Sequence, residues 1–119
     1  MVHAASQEEQ LTVFVGSGDV RPQEWLEALQ TAVTPRVLCD LSRARLHGMT
    51  SSELRDLALR LAGTTEGGRR AAKAAIVCAG EADYGMARML ATFASVAGCL
   101  TVVAVFHGEA EARAWLLTA

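Results

Sequence analysis

Four short apolar runs, each followed by a stretch of helical periodicity, constrain this chain more than any other feature. The runs are Leu11–Val15 (LTVFV), Val37–Leu41 (VLCDL), Ala74–Ala79 (AAIVCA) and Leu100–Phe106 (LTVVAVF). They are the length of strands and are bounded by glycine, proline and polar residues. A strand that gives way to a helix and then to another strand needs a crossover. Repeated βα units therefore predict a largely parallel sheet with right-handed connections. Ahead of them, Val2–Ser6 and a polar turn at Gln7–Glu9 predict an antiparallel hairpin with Leu11–Val15. The expected fold class is α/β: an open, mostly parallel five-stranded sheet with an antiparallel first strand, in the order β-β-α-β-α-β-α-β-α. At 119 residues the chain is expected to form one domain, 1–119.

The helical stretches carry their own signals. Pro22 suits a first helical turn, with Asp19 upstream as its expected cap, and Trp25, Leu26, Leu29, Ala32 and Val33 form an apolar face that Pro35 ends. In Ser51–Ala62, Leu54, Leu57, Ala58 and Leu61 recur at helical spacing, while Thr50 and Glu53 have the spacing of a capping box. Gly63 closes that helix, and TTEGGRR reads as an exposed loop. Ala82–Ala97 is apolar well beyond one stripe, which predicts two packing partners: the sheet, and a second copy of the chain in a homodimer. Glu109–Leu117 turns Ala112, Trp115 and Leu116 inward. The Gly16-Ser17-Gly18 segment reads as a turn closing the first parallel strand, since it lacks the spacing of either common phosphate loop.

Composition narrows the class of function. The chain is 51% hydrophobic and 20% charged, with 11 basic and 13 acidic residues. No basic footprint points to nucleic acid, and no apolar run is long enough to insert in a membrane. The first ten residues lack the basic and apolar regions of a signal peptide. Cys39, Cys78 and Cys99 form no CxxC pair and fall in or beside apolar runs, so reduced, buried thiols in a cytoplasmic protein are expected. His3, His47 and His107 are isolated from other ligand types at metal spacing, and no Ser–His or Cys–His arrangement stands out. Neither a metal, a cofactor nor an enzymatic role is expected.

The stretch Arg36–Glu53 (RVLCDLSRARLHGMTSSE) draws the functional reading together. A buried strand ends on Asp40, and a loop with Arg43, Arg45 and His47 leads to Thr50, Ser51 and Ser52 at a helix start. Working surfaces of open α/β sheets lie at such strand carboxyl ends. Asp40 either orients the loop through backbone N–H groups or faces a ligand. Thr50 is expected to cap its helix, and a phosphate on any of the three hydroxyls would change the local charge sharply. The second strand-to-helix junction, GEADYGMAR, brings Tyr84, Met86, Arg88 and Met89 to the same end of the sheet as a candidate groove shared with Met49.

RVLCDLSRARLHGMTSSEL, AAIVCAGEADYGMARMLATFA and VVAVFHGEAEARAWL resemble the small bacterial SpoIIAA-like proteins of the STAS class, and the shape implied is similar to the CRAL-TRIO fold. The resemblance implies a non-enzymatic binding and regulatory module. In the antagonists of anti-sigma factors that typify the class, a hydroxyl residue at the helix start is phosphorylated by a partner kinase, and partner binding is turned off. By that likeness Asp40, Met49, Thr50, Ser51 and Ser52 make up the switch or partner surface. Met49 stands nearest to where the family's hydroxyl residue falls, and the family's Asp-Ser pair is missing. The partner implied is a protein, an anti-sigma factor or a kinase. The alternative reading is a small-molecule or lipid-binding domain with an apolar cleft near Met49, Met86 and Met89.

Overall fold

The computed structural model describes residues 1–8, 10–63 and 72–118. The elements follow in the order β1 (Val2–Glu8), β2 (Leu11–Asp19), α1 (Pro22–Gln30), β3 (Arg36–Arg45), α2 (Ser51–Gly63), β4 (Lys73–Val77), α3 (Glu81–Val96), β5 (Val102–Phe106) and α4 (Glu109–Leu116). The five strands form one sheet in sequence order, with β1 antiparallel to β2 and the remaining neighbours parallel. This is the expected α/β architecture. The expected loop TTEGGRR lies outside the described residues.

Sequential strand order has a strong consequence. When every crossover turns the same way, all crossover helices fall on one face. Trp25 and Leu26 of α1, Leu54, Leu57 and Ala58 of α2, and Ala87, Leu90 and Ala94 of α3 therefore share one core with Phe14, Val37, Cys39 and Ile76. Strand residues of opposite parity, Val13, Leu38, Ala75 and Val77, face away and are covered by Ala112 and Leu116 of α4. That helix is tethered at its carboxyl end by Lys73, whose Nζ donates to the Trp115 carbonyl at 3.2 Å and the Thr118 carbonyl at 2.7 Å. A cation there opposes the negative end of the helix dipole.

Several local expectations are corrected. The GSGD segment is strand, not a closing turn: β2 runs on to Asp19, and β3 extends to Arg45. Gly16 lies between two registers of the β2–β3 pair, beyond which Ser17, Gly18 and Asp19 pair with Arg43, Ala44 and Arg45. An Asp19–Arg45 ion pair of 2.8 Å closes this extension, and the guanidinium holds the Asp19 carboxyl below its ordinary value. Asp19 is thus not the cap of α1; Arg21 holds that position, its N–H donating to Glu24 at 3.0 Å. Helix α1 stops at Gln30, which leaves Val33 outside its buried face and 52% exposed. Helix α2 packs along part of the broad apolar surface of α3: Met86, Met89 and Phe93 are half-buried against the core, with the Arg55 guanidinium 5.0 Å from the Phe93 ring, while Val96 stays 83% exposed.

Gly16 is required by close approach. A Cβ at this position would stand 2.5 Å from Leu41 Cδ2, and Leu41 is fully buried. Gly16→Ala is therefore expected to destabilise the fold by about 1–3 kcal/mol, the usual cost of overpacking. Urea denaturation of Gly16→Ala alone and combined with Leu41→Val checks this. The glycine substitution should cost less in the trimmed background, since the two sites share the contact.

Candidate functional site

The loop after β3 is fixed by a residue of another helix. Asp83, in the first turn of α3, is mostly buried, and its Oδ1 accepts three hydrogen bonds from the loop. Leu46 N–H donates at 2.7 Å, His47 N–H at 3.0 Å, and His47 Nδ1 lies at 2.9 Å. Burial pushes the Asp83 carboxyl up, but these donors, Leu46 N–H foremost, outweigh it and hold it below its ordinary value. The position also favours a negative charge, being the positive end of α3. Met49 N–H then donates back to the Leu46 carbonyl at 3.0 Å, which tightens the loop into a turn just before α2.

At the start of α2, Thr50 and Glu53 form the capping box read from their spacing. Thr50 N–H donates to Glu53 Oε1 at 2.9 Å, and Glu53 N–H donates to Thr50 Oγ1 at 3.1 Å. Ser51 and Ser52 occupy the first turn with exposed side chains. Among the described residues neither serine hydroxyl is hydrogen-bonded to a histidine or carboxylate, the arrangement that would activate it as a nucleophile.

Met49, by contrast, is 6% exposed and belongs to the core under α2. Asp40 is separated from the hydroxyl surface by the sheet itself. Val37, Cys39 and Leu41 face the three crossover helices and Leu38 faces α4, so Asp40, at Leu38's parity, lies on the α4 side. There it does orient the loop: Oδ1 accepts Ser42 N–H at 3.1 Å and Ser42 Oγ at 2.7 Å.

The second junction splits along two flanks of α3. Met86 and Met89 pack into the core with α2, while Tyr84 and Arg88 lie one turn apart on the side facing β5. Tyr84 stacks on His107 with centroids 4.0 Å apart and planes at 13°, and Arg88 sits 6.0 Å from the tyrosine ring centroid. His107 Nε2 is 3.7 Å from Glu81. Tyr84 and Arg88 border an open groove of about 380 Å³ against Val103, Ala104 and Val105. A second groove, between α1 and α2, runs from Arg21 to Arg60 over Leu26 and Leu57. Met49, Met86 and Met89 line neither. Sequence periodicity places Asp83 on a helix start, yet its bonds run to a loop 36 and 37 residues earlier. Only the spatial adjacency of β3 and β4 reveals them.

Cys39 and Cys78 belong to the same core, Cys39 opposite Ile76 in the β3–β4 register and Cys78 two residues beyond it. Burial pushes the Cys39 thiol up to about 12, against a smaller pull from the Trp25 indole, and Cys78 is likewise raised to about 12 by burial and by nearby Asp83. Thiolates are the reactive form, so both are inert at neutral pH. Among the described residues no three His, Cys, Asp or Glu side chains are placed to hold a metal ion, and no helix is long and apolar enough to cross a membrane.

No family model matches the chain, and no curated protein or solved structure does.

Two outcomes test this site. Asp83→Asn keeps the shape but removes the charge behind three hydrogen bonds, and is expected to cost about 1–2 kcal/mol at neutral pH. A carboxylate held below its unfolded value of 3.8 stabilises the fold above that value and loses its contribution as pH falls through the folded value. The difference between wild type and variant should therefore shrink in denaturation curves taken below pH 3.8. Thiol labelling of the native protein near pH 8 should modify half-buried Cys99 alone, with Cys39 and Cys78 reacting only after unfolding.

Proposed function

We propose that this chain is a non-enzymatic, STAS-like binding and regulatory module that docks a protein partner on the amino end of α2. What carries the reading is the division of labour among three adjacent hydroxyls. Thr50 is committed to capping α2, whereas Ser51 and Ser52 are free to meet a partner or accept a phosphate. The loop beneath them is pinned to α3 by Asp83, so the surface is presented rigidly. A phosphoserine brings about −1.5 to −2 charges, enough to reverse the affinity of a docking surface.

The strand order favours docking over enclosure of a small ligand. Crevices in open α/β sheets open where the strand order reverses, and here the parallel strands run β2-β3-β4-β5 without reversal. By its resemblance to the antagonists of anti-sigma factors, the partner is an anti-sigma factor or its kinase, in the bacterial cytoplasm. The module acts as a homodimer through the apolar face of α3.

The test is capture from the lysate of the parent organism, with partners identified by mass spectrometry. Ser51→Glu is expected to release a partner that wild type and Ser51→Ala retain. Identical captured proteins for all three forms, with Ser52→Glu also without effect, would overturn the reading.

A further inference from the structure

The sheet has two edges, and they are built differently. At one, β1 carries a register irregularity between Ala4 and Ser6, ends on Glu8, and buries no side chain fully. Irregularities and charges are how natural sheets keep an edge from accepting another strand. At the other, β5 reads VVAVF, with no charge, no proline and a regular register. Among the described residues it pairs with β4 alone. Val102 N–H donates to the Ala72 carbonyl and the Phe106 carbonyl accepts from Cys78 N–H, both at 2.9 Å. Alternate residues of a strand turn their backbone groups to opposite sides, so Val103 and Val105 direct N–H and C=O outward. Their side chains lie on the α3 face of the sheet, beside the open groove walled by Arg88, Ala91, Thr92 and Ser95. At its end Val96 is 83% exposed, an apolar side chain left open to solvent.

We propose that a second copy of this chain seats on this edge, β5 against β5, antiparallel across a two-fold axis, so that two five-stranded sheets become one of ten. The inference rests on the dimer reading above and moves its seam from the apolar face of α3 to the free edge of β5. Shape supports it. In such a pair each copy's Val103 and Val105 project into the other's groove, so the same residues line and fill it, as a two-fold interface requires. Charge supports it as well. The strand opposes no like charges to itself, and among the described residues Arg88 is the one charged residue lining the groove. The last turn of α3 holds no basic residue of its own. A two-fold axis sets the two α3 helices antiparallel and directs Arg88 toward the carbonyl end of the other copy's α3, where a cation is favoured. Finally, the protected β1 edge cannot take up β5, so pairing closes at two copies instead of growing into a fibre.

The full chain is tested by sedimentation and by amide hydrogen exchange at several concentrations. A dimer is expected, with the Val103 and Val105 amides exchanging at least about tenfold more slowly than in the dilute monomer. Those of Val102 and Ala104, turned to β4, should be protected in both. Thr92→Lys on the exposed groove wall should weaken association by about tenfold or more through like-charge repulsion with the other copy's Arg88, an effect on association much larger than the small change that its own i,i+4 Arg88 brings to the monomer's denaturation midpoint. A dimer whose Val103 and Val105 amides exchange freely, or whose affinity ignores Thr92→Lys, would overturn the seam and leave the dimer reading standing. A monomer at every concentration would overturn both.

Discussion

A single constraint of handedness shapes this molecule. Because each crossover from β2 to β5 turns the same way, α1, α2 and α3 share one face of the sheet, and one short helix is left to cover the other. Eight residues cannot span five strands, so α4 concentrates on the centre, over Leu38, Ala75 and Val77. Its position is held from both sides: Lys73 binds the carbonyls at its end, and Arg113 stands 3.6 Å from Glu8 at the hairpin. The same constraint removes the reversal of strand order that opens a ligand crevice in other α/β sheets. The surfaces left open are the rims: the loops above the strand ends, and the edge that no helix closes.

Those two rims are physically connected. Asp83 belongs to α3 but holds the loop that precedes α2, and the next turns of α3 carry Tyr84 and Arg88 along the β5 groove. A displacement of the Leu46–Thr50 loop must either stretch the Asp83 hydrogen bonds or carry α3 with it. Each such bond contributes on the order of 1 kcal/mol, more where the acceptor is charged. The hydroxyl surface and the β5 edge are therefore joined by one stiff element, so a displacement at one is transmitted toward the other.

The order of elements was legible because apolar runs of strand length and amphipathic stretches of helix length alternate without ambiguity. The capping box was legible too, being a property of residues three apart. What local pattern could not reveal was set by contacts distant in sequence. Glycines at 16 and 18 look like a turn, yet cross-strand pairing with Arg43–Arg45 and the Asp19 ion pair carry β2 straight through them. Asp40 and the hydroxyl residues look like neighbours along the chain, yet strand alternation puts them on opposite sides of the sheet. The helical periodicity of α3 shows more than one apolar face but does not name α2, set by contact alone, as the neighbour that covers part of it.

Met49 shows how far the hydroxyl surface departs from the pattern it resembles. The side chain at that position points into the core, where neither a kinase nor a phosphate can reach it. The next residue, Thr50, spends its oxygen on the Glu53 N–H, so modifying it would unmake the cap and cost about 1 kcal/mol of helix stability. Ser51 and Ser52 have the opposite character. A phosphate there sits over the free N–H groups of the first turn and the positive end of the helix dipole, an arrangement that favours α2 by roughly 0.3–1 kcal/mol. Modification at these serines thus leaves the module folded and changes only what it shows to the outside. A switch built on this surface acts by repelling its partner, not by melting the helix that carries it.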